Sequence, residues 1–490
     1  MNLVELLPWI IVGVASGIFI GAIPGLTGAM VIALTVPLTF SMDQDAALAL
    51  LVSLYTGSVS GGLISATLLN IPGTPAAMIT ILDAYPMTQR GEAGRALRLA
   101  VGSSFVGGIL SGVALLFLSQ PIAEWSVHLS PFDLFALVAM AMVFIASVSE
   151  PGLAGLGKGI LSGMAGCLIA LPGMHPATGQ IRYTFGFEEM SDGFRLLPVL
   201  IGLFAFSQAF RDLLIAPVKN TKSDSIEIRD NSRVKFKEWL EQMVNLFRSS
   251  LIGTAIGILP GIGANIGSTI AYGAARQFSK TPEQFGKGSE EGLVASESAN
   301  NATVGGALIP LVSLGIPGSV VDAVLLGAFV IHGLQPGPLL FENHPQTVDS
   351  LIVSYLISNV VMLLIMLASA RWIARLAGIS KVGLAPVIIV CCIVGCYALG
   401  NRMFDVWVMV AFGLLGLVLQ RWRIPLAPFV IGFVLAPLAE ENLASGLMAS
   451  GGTYLPLLTR PFSLICLILT FVLLLLTIWN GKKASPPQND

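Results

Sequence analysis

The sequence predicts an all-α polytopic membrane protein with about 11–12 transmembrane helices, re-entrant hairpins and two inverted-topology repeats. Three observations predict this fold class. Hydrophobic residues make up 54% of the 490 residues and charged residues only 11%, whereas a soluble domain is about 25% charged. Pro-Gly pairs interrupt apolar segments at matching places in the two halves. Basic residues occur in loops of one half where the matching loops of the other half have none.

Apolar runs give the helices in chain order. In the first half they lie near 7–23, 28–40, 46–70, 76–82, 99–120, 131–148, 155–171 and 194–216. In the second half they lie near 250–275, 293–315, 320–333, 348–370, 383–399, 403–420, 426–438 and 460–480. The runs at 28–40, 76–82 and 320–333 are short for a membrane crossing, so we expect half-helices or re-entrant arms there.

The domain organisation follows from these runs. We expect a first repeat at 1–216, a cytoplasmic linker at 217–247, a second repeat at 248–455, and an extra C-terminal helix and tail at 456–490. Between Arg233 and Phe247, apolar residues recur every three or four positions. This spacing predicts an amphipathic helix on the membrane surface, with Trp239 suited to the interface.

The two halves align over short motifs. Gly21-Ala22-Ile23-Pro24-Gly25 corresponds to Gly257-Ile258-Leu259-Pro260-Gly261, and Asn70-Ile71-Pro72-Gly73-Thr74 to Gly315-Ile316-Pro317-Gly318-Ser319. The offset is 236 residues at the first break and 245 at the second, while Gly61-Gly62 aligned with Gly305-Gly306 gives 244. Residues 198–202 resemble residues 428–432. The run at 460–480 has no counterpart in the first half.

Loop charges orient the repeats, because Lys and Arg in short loops mark the cytoplasmic side. The segment after the second break contains Arg90, Arg95 and Arg98, and its counterpart at about 330–345 contains no Lys or Arg. Between the breaks the pattern reverses: residues 41–45 have none, and the second half has Arg276, Lys280 and Lys287. Matching loops therefore lie on opposite sides, with the N-terminus outside and the linker inside.

The Pro-Gly breaks are the first candidate site. A helix that restarts after a break presents free N–H groups and a dipole that favours an anion, and a helix that ends there presents carbonyls for a hard cation. Thr27, Asn70, Thr74, Asn265 and Ser319 add short oxygen ligands. A single break would more simply be a packing kink, but four breaks in two matching pairs favour a functional site.

Glu297 is the second candidate, because an intramembrane carboxylate is costly and by default functional. Asn300 and Asn301 lie three and four residues later, near the same helix face. The alternative is that Glu297 is solvated at the cytoplasmic end of its helix. The matching residues 55–60, including Ser58, are polar but uncharged. We therefore expect two chemically unequal sites, with Ser58, Glu297, Asn300 and Asn301 as coupling-ion ligands.

Other functional classes have little support. The P-loop pattern is absent and no nucleophile–base constellation stands out, so we expect no enzyme activity and no cofactor. His175 and His332 have no metal-ligand company, and the five cysteines lie in apolar segments, so no metal other than Na⁺ is expected. Arg182 and Arg195 are interpreted as interfacial anchors or topology signals, and Glu440 as a cap at the end of a span.

Several motifs together resemble a known family. They are Ala22-Ile23-Pro24-Gly25-Leu26-Thr27-Gly28, Asn70-Ile71-Pro72-Gly73-Thr74-Pro75, Leu259-Pro260-Gly261-Ile262-Gly263-Ala264, Glu297-Ser298-Ala299-Asn300-Asn301 and Leu314-Gly315-Ile316-Pro317-Gly318. In this order they resemble the large membrane subunit of the tripartite tricarboxylate transporters (TctA-type), over about residues 6–478. Ser296 departs from the family pattern, in which a Pro often precedes the Glu.

The resemblance implies a bacterial inner-membrane secondary transporter that imports tricarboxylates or related organic carboxylates with Na⁺ or H⁺. It implies two partners, a small membrane subunit (TctB-type) and a periplasmic solute-binding protein (TctC-type). The family's Pro-Gly motifs map onto Gly25, Thr27, Gly28, Asn70, Gly73, Thr74, Gly261, Gly263, Gly318 and Ser319, which with Asn265 form the expected substrate-binding set.

We therefore expect cation-coupled symport by alternating access, with an elevator-like slide of the hairpins as one form of that motion. A related binding-protein-dependent carrier for other organic anions is the alternative within transport. A channel, which needs no coupling ion, and an intramembrane enzyme, which turns substrate over, are alternatives of other classes.

Overall fold

The computed structural model describes residues 3–23, 26–74, 77–149, 152–214, 234–260, 263–376 and 381–484. These residues are almost entirely helical, with one short β-hairpin. Eight of the described helices are long and apolar enough to cross a membrane, and five shorter apolar helices accompany them. The predicted all-α polytopic membrane fold is therefore confirmed.

The helices of the first half follow the predicted order. They are α1 (Leu3–Gly21), α2 (Gly28–Thr39), α3 (Gln44–Leu69), α4 (Ala77–Gln89), α5 (Ala93–Ser126), α6 (Pro131–Ser149), α7 (Gly152–Ala170), α8 (Leu196–Leu200) and α9 (Ser207–Leu214). A π-helical segment, Ile201–Phe206, joins α8 and α9 into one candidate span. Between α7 and α8, strands β1 (Gly173–Met174) and β2 (Ile181–Arg182) pair antiparallel.

The second half repeats this order and adds a final helix. Its helices are α10 (Phe236–Ile258), α11 (Ala264–Phe278), α12 (Glu290–Leu314), α13 (Val320–Ile331), α14 (Pro338–Asn343), α15 (Pro345–Leu376), α16 (Lys381–Gly400), α17 (Met403–Arg421), α18 (Leu426–Ala449), α19 (Leu455–Thr459) and α20 (Pro461–Ala484). Short 3₁₀ turns lie at Glu188–Asp192 and Pro282–Gln284.

Two helices extend beyond the predicted apolar runs. Helix α4 continues to Gln89 instead of ending near residue 82. It can do so because hydrogen bonds satisfy the carboxylate of Asp83, which is buried within the helix. Helix α10 passes through residue 247, where the predicted linker ends, because no Pro or Gly interrupts residues 236–252. Trp239 packs on Gly102 of α5. Residues 217–233 of the predicted linker lie outside the described residues.

The chain divides into two compact units that are discontinuous in sequence. Unit 1 comprises Met1–Pro121 and Ala209–Cys391, and unit 2 comprises Ile122–Gln208 and Cys392–Asp490. Each half of the chain therefore contributes its first part to unit 1 and its later part to unit 2. All four Pro-Gly breaks belong to the sequence of unit 1.

Glycines bring the first two long helices of each half into backbone contact within unit 1. Gly21 of α1 faces the Ser58 carbonyl of α3, and a Cβ on Gly257 of α10 would lie 2.5 Å from the Thr303 carbonyl oxygen of α12. Such small residues allow close approach of membrane helices. Gly257 follows Gly21 by 236 residues and Thr303 follows Ser58 by 245, so the same contact occurs once in each half.

A second pair of glycine contacts fixes the alignment of α3 with α12. Gly61 faces the Ile18 carbonyl, and Gly306 faces the Thr254 carbonyl. Gly61 and Gly306 are also 245 residues apart. The predicted alignment of Gly61 with Gly305 is therefore wrong by one residue, because adjacent glycines in both halves make the two registers look alike in sequence.

The equivalent helices α3 and α12 run in opposite directions. Helix α12 is parallel to α5, α5 is antiparallel to α15, and α15 is parallel to α3. Ser104–Glu297 and Ser119–Ser313 give the direction of α5 relative to α12. Gly108–Asn359 and Gly112–Leu356 give that of α5 relative to α15. Asp45–Ser350 and Thr56–Ser358 give that of α3 relative to α15. Opposite directions of equivalent helices are the property that defines an inverted repeat.

Charged side chains in unit 2 form ion pairs between elements. Asp405, at the start of α17, is 3.3 Å from Arg195 and 3.2 Å from Arg402. Glu440, inside α18, pairs with Arg182 of β2 and lies 3.4 Å from His175. The predicted capping role of Glu440 is therefore replaced by an ion pair that holds the β-hairpin loop, because Arg182 reaches α18.

Candidate functional site

The first turns of α2 and α13 lie side by side in unit 1. Thr27 caps α2, where its side-chain oxygen accepts a hydrogen bond from the Met30 N–H at 3.3 Å. A Cβ on Gly28 would lie 2.6 Å from Ser58 Oγ of α3 and 3.9 Å from Val321 of α13. A side chain at position 28 would therefore clash with Ser58 Oγ of α3, whereas the distance to Val321 of α13 is an ordinary van der Waals contact.

The two helices also meet at their other ends. Thr39 Oγ1, in the last position of α2, lies 3.1 Å from Nε2 of His332, which caps the C-terminus of α13. Contact at both ends means that α2 and α13 are parallel and that their N-termini point to the same place. Each helix N-terminus carries about half a positive elementary charge, so two adjacent N-termini create a site suited to an anion.

Ser319 links α13 to α3 at this position. It caps α13, accepts a hydrogen bond from the Asp322 N–H at 3.3 Å, and lies 3.3 Å from the Tyr55 hydroxyl. Gly318 packs against the Gly257 carbonyl oxygen, 3.0 Å from the position of a Cβ. Thr27, Gly28, Ser58, Gly318 and Ser319 are thus arranged around the start of α2 and α13.

The second break of the first half has the same packing. Gly73 lies against Gly62 and the Gly21 carbonyl, as Gly318 lies against Ala307 and the Gly257 carbonyl. Thr74 is buried, and its hydroxyl has no hydrogen-bond partner among the described residues. A buried hydroxyl without a partner is costly, so Thr74 is available to a bound ligand.

Other predicted substrate ligands stand apart from these contacts. Asn70 ends α3 with a left-handed backbone (φ 56°) and an exposed side chain. Gly263 precedes α11 with φ 71°, a conformation that favours glycine, and Asn265 is exposed. Gly25 and Gly261 lie outside the described residues.

Glu297 is fully buried and surrounded by hydroxyl groups. Thr80 of α4 donates to one carboxylate oxygen, and Ser104 of α5 donates to the other at 2.9 Å. The alternative that Glu297 is solvated at a helix end is therefore excluded for this conformation. Its carboxylate connects α12 with α4 and α5, three elements from both halves of the chain.

The two asparagines beside Glu297 differ in their contacts. Asn301 accepts a hydrogen bond from Ser60 at 2.8 Å and donates to the Glu297 carbonyl at 3.4 Å. Asn300 is 1% exposed and lies beside the Glu297 carboxylate, but neither of its side-chain polar atoms makes a hydrogen bond of normal geometry in the described part of the chain. Ser58 of α3 instead lies against Gly28 at the start of α2. The predicted coupling-ion residues therefore divide between the surroundings of Glu297 and the start of α2.

A charged cluster lies where α5, α10 and α12 begin. Arg95 lies 2.9 Å from Glu290 and 3.2 Å from Glu238. A hydrogen bond from the Lys235 backbone N–H, followed by the interaction with Arg95, lowers the pKa of Glu238. Arg95, which indicated the cytoplasmic side in the sequence, is therefore also an ion-pair partner.

Four residues that lie beside Glu297 or Ser319 in the structure were not identified from the sequence. Thr80, Ser104 and Tyr55 carry no signal, because single hydroxyls are common in helices. Asp322 carries one: it is a carboxylate within an apolar segment, three residues after Ser319, as in a Ser-x-x-Glu capping box.

Sequence comparisons identify a family and two relatives of this chain. A family model described as "Tripartite tricarboxylate transporter TctA family" matches residues 7–431. An uncharacterized 52.8 kDa protein from the TAR-I ttuC' 3' region of Agrobacterium vitis is 31% identical over 93% of this chain and 89% of the relative. A second uncharacterized protein, from the TAR-II ttuC' 3' region of the same organism, is 35% identical over 48% of this chain and 98% of the relative. No solved structure matches.

Proposed function

Because the chain belongs to the tripartite tricarboxylate transporter TctA family, we propose that it is the membrane permease subunit of a binding-protein-dependent importer. Its substrates are tricarboxylates or related organic carboxylates, and a Na⁺ or H⁺ gradient drives their uptake. It resides in the bacterial inner membrane, where a TctB-type small subunit and a periplasmic TctC-type binding protein complete the system. The observation that carries this proposal is the parallel pair of helix N-termini at α2 and α13.

The charge distribution favours helix ends as the anion site. Residues 1–89 and 288–370 contain no Lys or Arg, although they include α1 to α4 and α12 to α14. Positive potential around Gly28 and Ser319 must therefore come from the N–H groups of α2 and α13. Short hydroxyl side chains at Thr27, Thr74 and Ser319 supply further donors for carboxylate oxygens.

We propose Glu297 as the ligand of the coupling ion, with Asn300 and Asn301 as neighbours. A buried carboxylate without a paired cation gains most from binding a positive ion or a proton. Glu297 contacts α4 and α5 of the first half, so occupation of this site would change the interaction between halves. That change supplies the differential affinity that alternating access requires, and an elevator-like motion of the hairpins is the form we favour.

The test compares hydroxyl deletions at two equivalent breaks. Thr74→Ala and Ser319→Ala each remove one short polar contact worth about 0.5–1.5 kcal/mol, so we expect uptake of a radiolabelled tricarboxylate to fall about 2- to 12-fold. Thr269→Ala, at an exposed threonine of α11, is the matched control. Normal uptake by both break variants, at equal protein levels in the membrane, would remove these breaks from the substrate site.

A related carrier for other organic anions is the alternative within transport, because helix N-termini recognise negative charge without selecting a particular anion. A panel of mono-, di- and tricarboxylates as competitors separates these cases. Uptake that follows the substrate concentration alone, with no response to any ion gradient, would instead identify a channel.

A further inference from the structure

Asp322 is a buried carboxylate that the proposed coupling-ion site does not use. It lies in the first turn of α13 and is 0% exposed. Its carboxylate lies beside the side chain and backbone of Ser319, but neither oxygen makes a hydrogen bond of normal geometry among the described residues. Buried charges in proteins are normally paired or bound to a metal ion, and a carboxylate within a membrane segment is costly. Asp322 therefore has no cationic partner and no hydrogen bond of normal geometry among the described residues.

Local helix capping does not satisfy this carboxylate. Ser319 and Asp322 have the spacing of a capping box, in which the carboxylate would accept the N–H of the capping residue. The Ser319 hydroxyl accepts the Asp322 N–H at 3.3 Å. The carboxylate lies beside Ser319, but neither oxygen makes the return hydrogen bond with normal geometry. The capping box thus lacks a well-formed hydrogen bond from the Ser319 N–H to the Asp322 carboxylate.

The hydroxyl groups of Ser319 and Tyr55 lie near Asp322. Tyr55 of α3 is within electrostatic range of the carboxylate, and its hydroxyl lies 3.3 Å from Ser319 Oγ. This is long for a hydroxyl–hydroxyl hydrogen bond, which is typically about 2.7–2.8 Å. Two oxygens that bind one ion at right angles, each about 2.4 Å away, are separated by about 3.4 Å. The spacing therefore fits neighbouring ligands of one ion.

We propose that Asp322, Ser319 and Tyr55 bind a hard monovalent cation of the size of Na⁺. Hard cations prefer oxygen ligands, and these three side chains offer four side-chain oxygens in all. None of them contacts Glu297, whose described partners are Thr80 and Ser104. The site is therefore separate from the coupling-ion site proposed above.

This cation site has a consequence for substrate binding, and this part rests on the proposed function. Asp322 lies one residue after Val321, which packs against Gly28 at the start of α2. An unneutralised carboxylate there would repel an organic anion from the paired N-termini. A bound cation removes that repulsion, so each ligand raises the affinity for the other, as thermodynamic linkage requires.

The test measures ²²Na⁺ binding to the purified full-length chain without substrate, at constant ionic strength with choline as the replacing cation. We expect Asp322→Asn to remove one bound Na⁺ per chain. Tyr55→Phe should weaken that site about 3- to 10-fold while keeping the ring. Asp349→Asn, the same change at an exposed carboxylate of α15, should bind Na⁺ like the wild type.

The outcomes separate this site from the transport proposal. Unchanged Na⁺ stoichiometry in Asp322→Asn, unchanged affinity in Tyr55→Phe, or proton uptake without Na⁺ binding in the wild type overturns the cation site. If Asp322→Asn does not yield monodisperse protein, Tyr55→Phe decides. Loss of one Na⁺ in Asp322→Asn, together with wild-type vesicles that do not import carboxylates, supports the site and contradicts the function.

Discussion

At the residue scale, Glu297 shows what a buried carboxylate can do without a basic partner. Two hydroxyls, from Thr80 and Ser104, hold its oxygens. Both hydroxyls can rotate, so they can donate to a charged carboxylate or accommodate a bound ion. This differs from Asp405 and Asp133 in unit 2, which are fixed by arginines. Fixed ion pairs suit structure, whereas Glu297 suits an exchangeable ion.

We expect Glu297→Gln to abolish the dependence of uptake on the driving ion. The substitution keeps the size and an acceptor oxygen for Thr80 but removes the charge. Uptake into vesicles would fall at least about tenfold, equivalent to about 1.4 kcal/mol, and would respond little to the imposed gradient. Glu342→Gln, at an exposed position of α14, is the control. Wild-type ion dependence in the Glu297→Gln variant would show that the carboxylate charge is not used.

A second residue-scale prediction concerns Gly257. A Cβ there would lie 2.5 Å from the Thr303 carbonyl oxygen, and backbone cannot move aside as a side chain can. We expect Gly257→Ala to destabilise the protein by about 1–3 kcal/mol, seen as a lower melting temperature in detergent. Gly273→Ala on α11 has open space around the added methyl and should melt at or above the wild-type temperature. Equal melting of the two variants would contradict the close helix contact.

The sequence identified some of these residues for physical reasons. Glu297 was predictable because a charge in an apolar segment is rare, and Ser319 because it follows a Pro-Gly break. Thr80 and Ser104 were not, since their role depends on helices that meet only in three dimensions. Asp322 was overlooked because a carboxylate after a capping serine is also the ordinary start of a helix.

At the element scale, Asp83 holds the polar insertion of the second half against α4. One carboxylate oxygen accepts the N–H groups of Gly286, Gly288 and Ser289 at 2.8–2.9 Å, and the other accepts the Tyr272 hydroxyl at 2.8 Å. Arg90 donates to the Gly288 carbonyl of the same loop. The loop at 278–291 is therefore an ordered connection between α11 and α12. It makes the offset between the two halves larger at the second break than at the first.

We expect Asp83→Asn to loosen this loop, because charge-assisted hydrogen bonds are worth about 1.5–3 kcal/mol each. Hydrogen–deuterium exchange of the amides at 286–289 should accelerate by about tenfold or more. Tyr272→Phe removes only one donor and should have a smaller effect. Asp349→Asn should leave these amides unchanged. Wild-type protection of the loop in Asp83→Asn would mean that other contacts hold it.

Helix boundaries were predictable wherever a Pro-Gly break supplied the signal. The starts of α2 and α13 match the predicted runs, since Thr27 and Ser319 cap them directly after a break. The end of α4 was not predictable from hydropathy, because burial of Asp83 depends on a loop about 200 residues away. Pro86 lies inside α4 and does not end the helix.

At the scale of the whole molecule, the repeat is visible in sequence but the compact units are not. The motifs that recur at offsets of 236 and 245 residues gave the repeat, and loop charges gave its inversion. Neither signal states which helices of one half pack on which of the other. The packing of α5 on α12 and of α3 on α15 lies within unit 1, to which the first part of each half belongs.

The repeat also explains why the two halves differ chemically. Tyr55 occupies the position of Asn300, and Thr56 that of Asn301, at the 245-residue offset. Glu297 corresponds to Val52, and Asp322 to Ala77. Both buried carboxylates of the candidate sites therefore come from the second half, while much of the hydroxyl environment around them comes from the first.

The proposal on which the transport mechanism depends is that an ion gradient drives organic-anion uptake through this chain. The most direct measurement is uptake of a radiolabelled tricarboxylate by proteoliposomes that contain the chain, the proposed small membrane subunit and the proposed binding protein. We expect accumulation above the external concentration when an inward Na⁺ or H⁺ gradient is imposed, and loss of accumulation when an ionophore removes that gradient. Uptake that stops at the external concentration under every gradient would contradict ion-coupled transport.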